Sequence, residues 1–241
     1  TVAHVLDMTS GVRFNEDYTD PYSEIGKADV ASGWKLPPPG ARDFPATMWE
    51  LILSLTTREC QHGERFAYRS IETDVLAFCM ERASAKRLPQ LVSELLWQPM
   101  GAQESACFTV DRAGYALANG GLNATLRDYA RFGSLYLNDG VFNGRQIVPA
   151  GWIKATQTAG LAPFGEPYTL VSPNGAYRNQ FWIEDVSHRA IMCRGVFGQL
   201  IYIDSARDLV VVKLSSWPDF LNLELGIDTL RMVNALAAEI S

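Results

Sequence analysis

No apolar run in the 241 residues approaches the roughly 20 that a membrane-spanning helix requires, so no membrane span is expected. Basic residues are not in excess. Lys and Arg number 21 against 27 Asp and Glu, a net charge of −6, which argues against a nucleic-acid partner. Histidine is scarce, and His4, His62 and His188 are scattered. The four cysteines, Cys60, Cys79, Cys107 and Cys193, include no C-x-x-C pair, so no metal template is present. G-x-S-x-G, H-E-x-x-H, Walker A and G-x-G-x-x-G are also missing, and no metal or organic cofactor is implied. No internal repeat or low-complexity tract is found.

What remains is an ordinary globular balance of 47% apolar and 20% charged residues. At about 150 residues per domain, the length suits one large domain or two small ones with a sizeable core. The cysteines read as buried thiols, which slightly favours a reducing, cytoplasmic compartment. The chain opens on Thr1 rather than Met, with no signal peptide. Its abrupt start leads us to expect that an N-terminal part of a larger protein is missing.

Thr1 can cap a short helix carrying Val2, Val5 and Leu6, with Gly11 as its stop. Residues 12–48 hold Pro21, Pro37, Pro38, Pro39 and Pro45 and read as a long loop, ordered by Phe14, Tyr18, Tyr22 and Trp34. Helices are expected at 49–58, from Ile71 to about Ser84 with Ser70 as N-cap, at about 88–97, after the Thr125–Asp128 capping box, and from Pro149 to about 156. Strands follow at Gln180–Ile183, Ala190–Cys193, Gln199–Asp204 and Leu209–Ser216. A turn at 205–208 joins the last two. Leu209-Val210-Val211-Val212 reads as a central strand. A closing helix carries Ile227, Leu230, Val233, Leu236 and Ile240. The order is α+β: an antiparallel sheet with flanking helices at about 157–241, and a mostly helical region at about 44–156.

Taken alone, Tyr68 reads as a core aromatic and Ser70 as an N-cap. Gly195 and Gly198 allow tight packing. Functionally, they leave room for a ligand, with the Val196 N–H aimed at a developing oxyanion. The stretch from Asn15 to Asp29 carries Glu16, Asp17, Asp20, Glu24 and Asp29 against one base, Lys27. It fits a cationic substrate end, or a solvated face.

Several segments occur together and in order: Thr9-Ser10-Gly11, Tyr68-x-Ser70, Gly120-Gly121-Leu122, Asp128 to Asn143-Gly144, Gly195-x-x-Gly198-Gln199 and Lys213–Pro218. Together they resemble the serine β-lactamase-like family of class C β-lactamases, D-Ala-D-Ala peptidases and esterases. Asp17–Pro21, Asn119-Gly120-Gly121 and Lys213–Pro218 are similar to its nylon-oligomer hydrolase branch. The likeness runs from Thr1 to Ser241 and marks the chain as the C-terminal portion of one β-lactamase/transpeptidase-like catalytic unit. It implies a serine hydrolase that forms an acyl-enzyme on a small linear amide or ester, without cofactor. A carboxylesterase, a D-amino-acid peptidase or a non-catalytic binding module are the alternatives. Family members can be homodimers.

By this resemblance Tyr68 passes a proton to the leaving group, its phenol lowered in pKa between a serine and an ammonium. Ser70 is the third position of the same motif. The Val196 N–H is one half of the oxyanion hole, beside Gly195. Cys193-Arg194-Gly195 departs from K-T-G, which weakens any β-lactamase activity. Tyr18 is the mobile-loop tyrosine, Asp29 pairs with a substrate amine, and Asn119 faces the acyl portion. The nucleophilic S-x-x-K of the family precedes Thr9-Ser10-Gly11 and is expected outside this chain, on the missing N-terminal segment. Ser32-Gly33-Trp34-Lys35 has the right letters but not the helix they require, since Gly33 and Pro37-Pro38-Pro39 oppose one.

Overall fold

A computed structural model describes residues 1–160 and 162–239, which form two compact units. The first comprises Thr1–Ser93 and Ala106–Asn123. Its helices are α1 (Val2–Leu6), α2 (Glu24–Ala31), α3 (Met48–Ser54), α4 (Ile71–Ser84) and α5 (Leu88–Val92). A small ladder pairs β1 (Cys107–Phe108) with β2 (Leu122–Asn123). Phe14, Ile25, Met48, Leu51, Ile71 and Leu117 form its core. The expected 12–48 loop therefore contains α2, which Ser23 caps by accepting the Gly26 N–H at 3.0 Å. Helix α1 stops at Leu6 with Asp7 as its cap, not at Gly11. Gly11 is instead a left-handed residue whose Cβ would lie 2.5 Å from the Cys60 carbonyl oxygen.

The second unit comprises Glu94–Ser105 and Ala124–Ser241. It contains α6 (Leu126–Leu137), the hairpin β3 (Val141–Phe142) with β4 (Arg145–Gln146), and α7 (Ala150–Thr156). A five-stranded antiparallel sheet follows, in the order β5 (Ala176–Arg178), β6 (Phe181–Asp185), β7 (Ala190–Gly195), β8 (Gln199–Asp204), β9 (Leu209–Lys213). Helix α8 (Leu223–Glu239) closes it. The expected helix residue Ile240 lies outside the described residues. Asp128 draws the start of α6 onto the preceding loop, accepting the N–H groups of Gln103 at 2.9 Å and Glu104 at 3.1 Å. Thr125 caps the helix by accepting the Asp128 N–H.

Side chains alternate across this sheet. Phe181, Ile183, Ile191 and Ile203 pack with Tyr136 of α6 and Ile153 of α7. Ala190, Met192, Leu200 and Tyr202 pack with Leu230 and Val233 of α8. Each fully buried isoleucine contributes about 1.5–3 kcal/mol. Two covered faces also explain the all-apolar run at 209–212. Val210 packs toward α6 and Val211 toward α8, yet β9 stands at the edge of the described sheet rather than at its centre. The run reports burial of both faces, not lateral position. The cysteines also depart from expectation: Cys79 and Cys107 are exposed, while Cys60 and Cys193 are half-buried.

Gly133 sets how closely α6 lies on the sheet, because a Cβ there would meet Val210 Cγ1 at 2.6 Å. Gly133→Val is expected to cost about 1–3 kcal/mol by overpacking. It should lower the urea midpoint at unchanged slope; an unchanged midpoint would contradict the close approach.

Candidate active site

Tyr68, Arg69 and Ser70 lead directly into α4, with Ser70 already in the right-handed helical region. Arg69 is 1% exposed. Its guanidinium meets Glu59 at 2.6 Å and Glu72 at 3.5 Å, and donates to the Ala67 carbonyl at 3.0 Å. Glu72, 2% exposed, also accepts the Ser10 hydroxyl at 2.6 Å. Through these bonds the Thr9-Ser10-Gly11 segment and the Tyr68-x-Ser70 segment are built on one buried network. Burial raises the Glu72 carboxyl to about 7, against the Ser10 hydrogen bond and the Arg69 charge.

Ser70 is the N-cap of α4, as expected, but its side chain makes no cap bond to the helix. Its backbone N–H and its hydroxyl both donate to the Glu16 carboxylate, the hydroxyl at 3.2 Å. The Tyr18 hydroxyl stands 3.4 Å from Ser70 Oγ. Burial and the adjacent Glu16 push the Tyr18 phenol well above its ordinary value, with Tyr68 adding to the rise, so Tyr18 stays protonated. Burial also raises the Glu16 carboxyl, against the Ser70 N–H, the Tyr18 and Ser70 hydroxyls and the Arg69 charge. Tyr18, Tyr68 and Ser70 are thus gathered in one cluster, with Glu16 as its unforeseen member.

The other acids of this loop face its own backbone. Asp17 accepts the Thr19 N–H at 2.9 Å, Asp20 accepts the Tyr22 N–H at 2.8 Å, and Glu24 accepts the Asn15 N–H at 2.9 Å. Their hydrogen bonds wind the loop, with Asp17 exposed to solvent. Asp29 is 7% exposed and holds the ammonium of Lys35 at 2.6 Å, the lysine side chain being 55% exposed. The N–H groups of Trp34 and Lys35 donate to the Asp29 carbonyl, folding the chain back over the last turn of α2. Ser32 is the C-cap of that helix and donates to Ala28 O at 2.7 Å. Its S-x-x-K is therefore a helix end, with Lys35 committed to Asp29. The Trp34 ring lies 3.4 Å from where a Gly120 Cβ would stand, next to Asn119.

Gly195 and Val196 belong to the second unit. The chain leaves the ladder of β7 at Val196, which is 37% exposed. Phe197 and Gly198 are both left-handed, and a Cβ at Gly198 would strike the Trp217 ring at 2.3 Å. Lys213 lies over that ring at 4.4 Å and donates to Gly198 O at 2.9 Å. Gln199 binds Ser215 through both its amide atoms. The Gly195–Gln199 turn and the Lys213–Pro218 segment, two separate motifs in sequence, are one braced structure. Within this turn the Phe197 N–H is donated to the Phe220 carbonyl at 2.9 Å.

Glu16 and Arg69 were missed by sequence reasoning. Glu16 sat within a run of acids whose residue types do not distinguish an inward carboxylate from the loop-winding ones. Among the described residues no three His, Cys, Asp or Glu side chains gather as a metal site, and no helix is long and apolar enough to cross a membrane.

The beta-lactamase family model matches residues 1–229. A 6-aminohexanoate-dimer hydrolase of Paenarthrobacter ureafaciens is 38% identical over 221 residues, which is 91% of this chain and 55% of that protein. The solved structure of a putative 6-aminohexanoate-dimer hydrolase from Bacillus anthracis superposes with TM-score 0.84 at 29% identity, covering 99% of this chain and 61% of that one. An octameric penicillin-binding protein homologue from Pyrococcus abyssi matches at TM-score 0.63 and 17% identity, over 98% of this chain and 56% of that one, a likeness of fold. The chain thus spans little more than half the length of the curated relative it matches, and its fold is β-lactamase/transpeptidase-like.

Two carboxyls of α4, Glu72 and Asp74, are each raised to about 7, in both cases chiefly by burial. In the unfolded chain they titrate near 4, so the folded state binds their protons more tightly. The stability they support is complete below about pH 4 and falls as pH rises through 7. Melting temperature should drop between pH 5 and pH 8, and Glu72→Gln should flatten that slope. A wild-type profile that is level or rising over this range would contradict the assignment.

Proposed function

The chain belongs to the beta-lactamase family, and on that premise we propose that it is the C-terminal part of a serine hydrolase that acts through an acyl-enzyme on small linear amides or esters. The observation that carries this reading is the cluster in which Glu16, Tyr18 and Ser70 are hydrogen-bonded beside Tyr68. It is a polar, half-buried group of hydroxyls suited to moving a proton. In this reading the nucleophile is the serine of the family's S-x-x-K motif, a role that Ser32, the C-cap of α2, does not fill. The serine attacks the carbonyl carbon, and its proton goes to the neighbouring base. The oxyanion takes hydrogen bonds from the Val196 N–H and from the serine's own N–H. Tyr68 hands a proton to the departing amine or alcohol as the bond to the acyl carbon breaks. Water then attacks the acyl-enzyme by the same proton path in reverse and releases the acid.

Substrates with a terminal amine, such as 6-aminohexanoate oligomers, are the preferred class in this reading. Asp29 is a nearly buried carboxylate that already carries an ammonium, that of Lys35. A relative 38% identical bears the name 6-aminohexanoate-dimer hydrolase. In the complete protein, Tyr68→Phe should lower kcat for the linear 6-aminohexanoate dimer by about 10²–10⁴ with little change in KM. Asp29→Ala should raise KM for that amide about tenfold, or about 1.4 kcal/mol, and spare a simple ester without an amine. Full activity in Tyr68→Phe would remove the proton-relay role. Equal losses on both substrates in Asp29→Ala would remove the amine role.

A further inference from the structure

Ser70 and Asp74 stand four residues apart at the start of α4 and so share one face. Ser70 carries the Glu16 and Tyr18 contacts. One turn further, Asp74 Oδ1 accepts the N–H groups of Ala118 at 2.8 Å and of Asn119 at 3.4 Å. Asp74 is 2% exposed. The segment it grips is otherwise tight. A Cβ at Gly121 would meet the Leu117 carbonyl oxygen at 2.4 Å, and Gly120 lies under the Trp34 ring. Asp74 Oδ2 and Asn119 Oδ1 are both buried acceptors with no hydrogen-bond partner among the described residues.

We propose that Asp74 is a positioning residue that seats Asn119 for an amide substrate, tying its backbone to the helix turn that carries Ser70 so that the buried Asn119 carbonyl is presented to a substrate N–H. The proposal rests on the hydrolase reading above and adds a source of selectivity. A buried acceptor without a donor is costly, and an amide brings an N–H that an ester lacks. Burial also raises the Asp74 carboxyl, against its two N–H bonds and with Asp111 adding to the rise. The protonated acid keeps its grip, since Oδ1 remains a carbonyl acceptor.

The test uses the complete protein with the linear 6-aminohexanoate dimer and a matched ester of 6-aminohexanoate. Asp74→Ala should raise KM for the amide about tenfold, leave kcat within twofold, and leave the ester unchanged. Asp74→Asn keeps the carbonyl acceptor and should stay within twofold of wild type. Asp74→Ala combined with Asn119→Ala should be no worse than Asn119→Ala alone. Hydrogen exchange of the Ala118 and Asn119 amides should be slow in wild type and Asp74→Asn and fast in Asp74→Ala. If Asp74→Ala does not fold, Asp74→Ser, too short to reach both N–H groups, should show a smaller rise in the same KM. Losses that multiply in the double variant, an equal loss on the ester, or a failure of asparagine to rescue would overturn the proposal while leaving the hydrolase reading standing. A wild-type protein inert toward both substrates would overturn both.

Discussion

A guanidinium 1% exposed to solvent sits between two carboxylates directly behind the residues that carry the proposed chemistry. Arg69 is held closely by Glu59 and loosely by Glu72, and Arg69 Nε and Glu72 Oε2 find no partner among the described residues. Replacing such a network with apolar side chains often costs nothing in stability, whereas removing one member of it costs several kcal/mol. Its value here is geometric. Arg69 also donates to the Ala67 carbonyl, and Glu72 takes the Ser10 hydroxyl. The backbone on either side of Arg69 is thereby held, with Ser70 itself buried beside it.

The loop over that pair is held by the same kind of interaction used differently. Asp17, Asp20 and Glu24 each accept a nearby backbone N–H, which shapes the turn leading into α2. Glu16 alone reaches across to Ser70. Tyr18 reaches the same hydroxyl, so the loop, anchored in the core by Phe14 and Ile25, is also pinned by polar contacts at Ser70.

Much of the fold was legible because apolar spacing controls it. The Ile71–Ser84 helix and the Gln199–Asp204 strand appear with the expected ends. Position within the sheet was not legible. The 209–212 run is apolar because α6 and α8 cover both faces, and a strand's lateral place leaves little trace in its own residues. Ser70 shows the other limit. Its type and position fit an N-cap, but the carboxylate that captures its hydroxyl lies 54 residues earlier in the chain. Local rules rank local partners, and the site is made of distant ones. The family resemblance pointed to Tyr18, Tyr68 and Ser70 but not to Glu16, whose role appears only once the loop is folded.

Asp29 and Asp74 show two solutions to one physical problem, a carboxyl group removed from water. Asp29 meets a cation. The fold-back after α2 places Lys35 on it, and the lysine stem remains in solvent. Such a pair sets a neighbouring positive charge, 2.6 Å away, against the burial of the acid. Asp74 meets no cation among the described residues; it takes two backbone N–H groups on one oxygen, and burial favours a proton on the acid. That arrangement ties the carboxyl to a fixed stretch of backbone, so it suits a strut. The surroundings, rather than the residue type, set the two apart: Asp29 pairs with a cation, and Asp74 grips backbone.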